Sequence, residues 1–314
     1  MKTYITNRLL MMLITLVGMS VLIFILLRLA PGNITDILFD SAGYVDEADK
    51  ALIEAELGLD KPYVVQYVTW ITDLMRGELG KSFRLEIPAI DVIGPRVPVT
   101  LELASLAIFF AILFGVPTGV ISAVRQDTKI DYVLRVISLS GLSMPSFWLA
   151  LVIILTMITT LGISPLYVAP PDGFWDHLRL FLIPALAVGF RSSALIMRLT
   201  RSSMLEVMRQ DYIRTAEAKG QNRRVINYHH ALKNAILPVI TVIGIEFAFL
   251  IGGLVITETV FNIPGVARFL VQAILWRDYP IVQNLVMMIA VIVVMANFIV
   301  DLLYIYLDPR IQYS

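Results

Sequence analysis

The sequence predicts an all-α integral membrane protein with six transmembrane helices, and three observations carry that prediction. Of 314 residues, 58% are hydrophobic and only 16% charged, with a mean hydropathy of +0.78, too little polar side chain to wrap a soluble globule. Apolar runs of spanning length recur along the chain. The connections between them differ in charge, some basic and one long and acidic. The formal net charge is zero, so no basic excess points to nucleic acid, and electrostatic meaning lies in how the charges are distributed. There is no cysteine, which excludes disulfides, thiolate metal sites and thiol nucleophiles.

Residues 1–30 form the N-terminal end and the first helix. Leu9 to Leu27 contains no charged residue, nearly enough on its own to cross a hydrocarbon core of about 30 Å at about 1.5 Å per residue. It is longer than the apolar core of a signal peptide, and the following RLAPGNIT is not a small-x-small cleavage site, so the span is read as uncleaved. Further apolar runs lie at about 101–124, 133–161, 181–200, 236–257 and 282–307, within a core of 100–307. Gly115, Pro117, Gly119, Gly141, Pro145, Gly252 and Gly253 inside them imply kinked, closely packed helices.

Orientation follows from lysine and arginine in the short connections. Lys2 and Arg8 precede the first span, Arg125 and Lys129 separate the second and third, and Arg310 lies in the tail 308–314. Residues 201–235, between spans four and five, carry Arg201, Arg209, Arg214, Lys219, Arg223, Arg224 and Lys233. These segments are expected in the cytoplasm, with both termini. The connection 31–99 is acidic in its first half, from Asp36 to Asp60, and is expected outside. Two short helices are predicted there: DEADKALIEAELG, stopped by Gly58, and PYVVQYVTWITDLMRG, opened by Pro62 at its first position. Together they make a small helical cap, not a separate domain.

Several patterns can be set aside. RGELGKSF at 76–83 has the look of a phosphate-binding loop, but Met75 stands where a glycine is required and a helix, not a strand, precedes it. His229 and His230 are adjacent, so on a helix they diverge by about 100° and cannot both grip one metal. No nucleophile, base and acid converge by spacing, which leaves no case for catalysis. The ionisable residues at depth are more informative, because a charge in hydrocarbon must face protein or water. Arg191 in span four and Glu246 in span five are the deepest, and two readings stand: they line a polar pathway for substrate, or they pair with each other or with another subunit. Glu102, Glu258 and Asp301 lie near span ends, where an interfacial location accounts for them.

SSMLEVMRQDYIRTAEAKG places Met204, Leu205, Met208, Tyr212 and Ile213 at helical separations with arginines between, and Gly220 closes the helix. NRRVINYHHALKNAILP leads from there into span five. Short helices with an apolar stripe and basic flanks fit a groove on a partner protein or a resting place on anionic lipid.

Read together, the opening RLL with RLAPG, GELGKS, GLSMPSFWLALVI, RLTRSSMLEVMRQDYIRTAEAKG, HALKNAILPVIT, GGLVITETVFNIPG, RDYPIVQ and DLLYIYLDPRI resemble, nearly end to end, the inner-membrane permease subunits of bacterial ABC importers for dipeptides, oligopeptides and nickel. The resemblance implies a type I importer permease core of the MetI-like kind, with an extra N-terminal helix and a helical periplasmic loop region. It implies that the chain is not itself an enzyme. The expected partners are a second, homologous permease, two ATP-binding subunits that hold ATP and magnesium, a periplasmic or lipid-anchored substrate-binding protein, and the bilayer. No cofactor or metal is expected in this chain.

By the same resemblance, Arg214, Thr215, Ala216, Glu217, Ala218, Lys219 and Gly220 form the coupling segment that sits in a cleft of the ATPase, with Ala216, Ala218 and Gly220 small enough to permit close approach. Thr215 and Glu217 replace a glutamate and an alanine of the general importer pattern, and His230-Ala231-Leu232-Lys233 stands where that pattern has Ile-x-Leu-Pro. Met144 and Trp148 join Arg191 and Glu246 as pathway candidates. Peptide is the expected substrate, with nickel, sugars or opines as alternatives. A secondary transporter or channel with Glu246 as ion site is the rival from another class, weakened by the lack of internal repeats.

Overall fold

The computed structural model of the protein describes residues 2–29, 58, 60–170 and 172–307, and it is predominantly helical. The expected helix at 46–58 lies, but for Gly58, outside the described residues. The helices are α1 (Lys2–Leu29), α2 (Tyr63–Arg76), α3 (Ala89–Ile93), α4 (Arg96–Val124), α5 (Lys129–Ser143), α6 (Ser146–Thr156), α7 (Phe174–Val207), α8 (Asp211–Ala218), α9 (Arg223–Val225), α10 (Lys233–Gly253), α11 (Val255–Val260), α12 (Val266–Leu275) and α13 (Tyr279–Leu307). π-helical turns at Met157–Leu161 and Ile226–Leu232 extend α6 and join α9 to α10.

Among the described residues five helical stretches are long and apolar enough to cross a membrane, and the sixth candidate is a bent pair. The sequence predicts one continuous third span at 133–161. Instead Lys129–Ser143 and Ser146–Leu161 meet at 103°. Pro145 is the cause: it has no N–H to continue the ladder and pushes the residue before it out of the helical region, and Met144 is extended at φ −80°, ψ 129°. Pro62 likewise sits one place earlier than expected, capping α2 from outside, while Gly77 closes that helix in the left-handed conformation.

By packing, Met1–Val99 with Gly265–Val294 form one unit, and Thr100–Pro264 with Met295–Ser314 a second. In the first, Phe24 of α1 meets Tyr67 of α2 edge-on at a centroid distance of 5.4 Å and stacks on Trp70 at 6.4 Å. Ser20 shares a hydrogen bond with the Tyr67 hydroxyl. Ala89, Val92 and Ile93 of α3 meet Val266 and Phe269 of α12 and Ile281, Val282 and Leu285 of α13 in one apolar core.

The GELGKS loop belongs to this unit and is organised around an internal anion. The buried Asp278 carboxylate accepts from the Ser82 hydroxyl, from the Phe83 N–H at 3.2 Å and from the Arg84 N–H at 3.3 Å. The same residue caps α13, its backbone oxygen accepting from Val282 N–H at 2.9 Å. The loop's hydroxyl and N–H donors thus serve the chain's own carboxylate.

In the second unit α4 and α7 run at backbone contact. Ala107, Ala111, Gly115 and Gly119 recur every four residues along α4, and all are buried. A Cβ at Gly189 of α7 would lie 2.7 Å from the Ala107 carbonyl oxygen, so no larger residue fits without displacing a helix. Glu258, expected at an interface with water, is instead fully buried and accepts from the Thr100 hydroxyl at 2.6 Å. Proximity to the end of a span does not ensure exposure where another element covers that end. Glu102 is partly exposed and paired with His177 at 2.9 Å.

Candidate functional site

The segment between α7 and α10 folds from its own pattern. Ile213 and Ala216 are buried on one side of α8, in a core with Val120, Ala123, Met204, Ile226, Ala231 and Ala235. Arg214, Thr215, Glu217, Ala218, Lys219 and Gly220 are exposed on the other. The resemblance counts Ala216 among the residues that permit close approach by a partner; its methyl turns inward instead, because positions 213 and 216 share a helix face. Arg214 Nη1 lies 3.5 Å from Asp211 Oδ1 and Thr215 donates to the Asp211 carbonyl at 2.9 Å, both in the open.

The end of α8 is a paired C-terminal lock. Gly220 N–H donates to Glu217 O at 2.9 Å and Gln221 N–H to Ala216 O at 3.3 Å, the double bond of a Schellman turn. Gly220 takes φ +73°, and space for a Cβ is open there, so backbone conformation and not crowding requires glycine. Beyond it, His230 Nε2 pairs with Gln221 Oε1 at 2.7 Å and Asn234 donates to the Tyr212 hydroxyl at 2.8 Å, tying α8 to the π-helical turn and α10. Among the described residues no three His, Asp or Glu side chains are grouped to hold a metal.

Between α5 and α7 stands an ion pair that the sequence pattern does not single out. Asp131, 0% exposed, receives both Nε and Nη2 of Arg201 at 2.9 Å. It also accepts from the Ser122 hydroxyl and from the Asp127 N–H at 3.0 Å. One carboxylate thereby joins the end of α4, the turn after it, the start of α5 and α7. The available signal was Thr128, an N-cap preceding an aspartate in the first helical turn, facing a basic residue seventy positions on; distance in sequence concealed the pair.

Near the middle of the 34-residue α7, Arg191 meets Glu246 of α10. Nη1 to Oε2 is 3.7 Å; the side chains are 43% and 8% exposed. The Ser192 hydroxyl donates to the same Oε2 at 2.6 Å, and the Arg191 guanidinium lies 5.4 Å from the centre of the Phe249 ring. Met144 and Trp148, at the break between α5 and α6, are exposed. An apolar cavity of about 450 Å³ lined by Phe110, Phe114, Leu149, Ile153, Phe190 and Met197 lies alongside and holds no charged residue.

A helical membrane protein with broken and proline-bearing spans and a short helix offered between two of them is the architecture of a transporter subunit. The chain belongs to the family described as the binding-protein-dependent transport system inner membrane component, whose model matches residues 115–313, and the N-terminal model of the same systems matches 1–104. It is 41% identical to a dipeptide transport system permease protein of Alkalihalophilus pseudofirmus, over 100% of both chains. It is 38% identical to a di/tripeptide transport system permease protein of Pseudomonas aeruginosa, again over 100% of both. Its fold matches a chain from inward-facing structures of the MetNI methionine ABC transporter at a TM-score of 0.59, with 16% identity, over 70% of this chain and 97% of that one. It is thus a multi-pass inner-membrane permease of the ABC importer class, a transport component and not an enzyme.

Proposed function

We propose that this permease carries di- or oligopeptides, forming the pathway with a second, homologous permease and coupling it through α8 to two ATP-binding subunits, which hold the ATP and magnesium. A periplasmic or lipid-anchored binding protein delivers substrate to the side bearing residues 31–99. Both termini and α8 lie in the cytoplasm, in keeping with the basic residues around them. The observation that carries the coupling role is the division of α8: one face is anchored in the core of its own unit, and the other presents Arg214, Thr215, Glu217, Ala218 and Lys219 to whatever docks there. Anchoring makes a push on the exposed face a push on α4, α7 and α10. Arg191, Glu246, Met144 and Trp148 line the pathway. Peptide is favoured as cargo because relatives matched over their full length are named for it.

The test is to tag the C-terminus, extract in mild detergent, identify what copurifies by mass spectrometry, and reconstitute it in liposomes. A second permease with ATPase subunits, and ATP-dependent uptake of labelled dipeptide, is the expected result. Uptake of nickel, sugar or opine in place of peptide would reassign the substrate. Uptake by this chain alone, driven by an ion gradient, would replace the importer reading with that of a secondary transporter acting through Glu246.

A further inference from the structure

Two arginine–carboxylate pairs of the second unit, Arg201 with Asp131 and Arg191 with Glu246, differ in a way that assigns them different work. Arg201 and Asp131 form a closed pair: two parallel contacts of 2.9 Å, with the arginine side chain 18% and the aspartate 0% exposed. That geometry closes the Nε/Nη2 edge of the guanidinium on the carboxylate at hydrogen-bond distance. Arg191 and Glu246 form an open pair. Their one contact, at 3.7 Å, is an ion-pair distance too long for a hydrogen bond, and the carboxylate oxygen it approaches already accepts from Ser192 at 2.6 Å.

Glu246 therefore compensates the charge of Arg191 without occupying its donors. A guanidinium carries five N–H groups in a fixed plane matched to a carboxylate. Its position near the middle of α7 makes the consequence sharper. An arginine 43% exposed at that depth cannot face acyl chains, so its open side faces water or another polar group. Phe249, exposed on α10, supports the guanidinium from one side, which holds the fork in place while leaving its edge accessible.

The geometry points to Arg191 as a carboxylate-binding residue of the translocation pathway, receiving the C-terminal carboxylate of a peptide in transit, with Glu246 and Ser192 positioning it. This rests on the peptide-importer reading above. Glu246 has a second use in such a site: an unbalanced arginine would hold an anion too firmly to release it, whereas a neighbouring carboxylate weakens the hold and returns the fork to Arg191 when the peptide leaves. The bound state is one in which the incoming carboxylate makes the two short contacts that Glu246 does not.

The experiment uses the complete reconstituted importer and compares a free dipeptide with the same dipeptide amidated at its C-terminus. Both are supplied at saturating concentration, so that the maximal rate reports the membrane step and KM the capture by binding protein. In Arg191→Gln the maximal rate for the free dipeptide is expected to fall by about tenfold or more, the scale of one lost charge-assisted hydrogen bond. The rate for the amide is expected to change little, so that the ratio between them collapses, while KM stays as it was. Arg191→Lys, which keeps the charge and loses the fork, is expected to retain part of the preference.

An unchanged ratio in an assembled Arg191→Gln complex would overturn the assignment. So would a permease pair that dissociates in Arg191→Gln and reassembles in Arg191→Lys, which would place the positive charge of Arg191 against a carboxylate of the second subunit. Failure of the unmodified complex to take up any peptide with ATP would instead remove the peptide reading, and is distinguished from the other outcomes by involving no variant.

Discussion

Replacing Asp131 with alanine tests whether its pair with Arg201 holds the adjoining parts of α4, α5 and α7 together. The substitution strands Arg201, whose side chain is 18% exposed, and removes the acceptor of the Ser122 hydroxyl and the Asp127 N–H. Breaking a buried ion pair from one side costs about 3–5 kcal/mol; because Arg201 retains some access to solvent, we take the lower end, about 3 kcal/mol. For a unit of this size that corresponds to a fall in Tm of roughly 6–12 °C. The assay is thermal denaturation of the purified chain in detergent, followed by size exclusion. Arg201→Ala is expected to cost somewhat less, since the buried Asp131 keeps only the longer contact to Arg135 Nε at 3.5 Å. The double variant Asp131→Ala with Arg201→Ala is expected to lose clearly less than the sum of the two, because neither charge is then stranded. Strict additivity, or a shift in Asp131→Ala of only a degree or two, would refute the argument that this carboxylate organises the site.

Three further outcomes follow from single positions. Gly220→Asp is expected to leave the permease pair assembled, since the added side chain meets open space and aspartate tolerates the left-handed region, while ATP hydrolysis no longer drives uptake; normal uptake would count heavily against α8 as the coupling element. Gly189→Ala is expected to destabilise by about 1–3 kcal/mol through its contact with the Ala107 carbonyl, whereas Gly252→Ala, with nothing within 4 Å of its Cβ, keeps the parent Tm, and equal effects of the two would discredit the close α4–α7 packing. Asp278→Ala is expected to free the 80–84 loop from its internal anion and make it sensitive to limited proteolysis, with Asp278→Asn intermediate; equal resistance in all three chains would show that the carboxylate does not hold the loop.

What could be read in advance depended on how local the cause is. The apolar spans, the amphipathic face of α8 and its glycine stop were legible because each arises from residues within a few positions of one another, under the period of a helix. The break of the third span was encoded in Pro145 but masked by unbroken apolarity on both sides, so hydropathy alone carried the span through it. The place of Glu258 near the end of a span does not reveal its depth, and its burial and its bond to Thr100, 158 positions away, show it to be covered.

The sequence by itself therefore determined the solvent, the class of fold and the family, since these depend on composition, periodicity and motifs spread along the whole chain. Tertiary structure alone decided the allocation of partners. It set Asp131 against Arg201, Asp278 against the 80–84 loop, and Arg191 at arm's length from Glu246. A charge in a sequence carries no distance, and the difference between a pair at 2.9 Å and one at 3.7 Å separates a closed structural bond from a fork left open for a ligand.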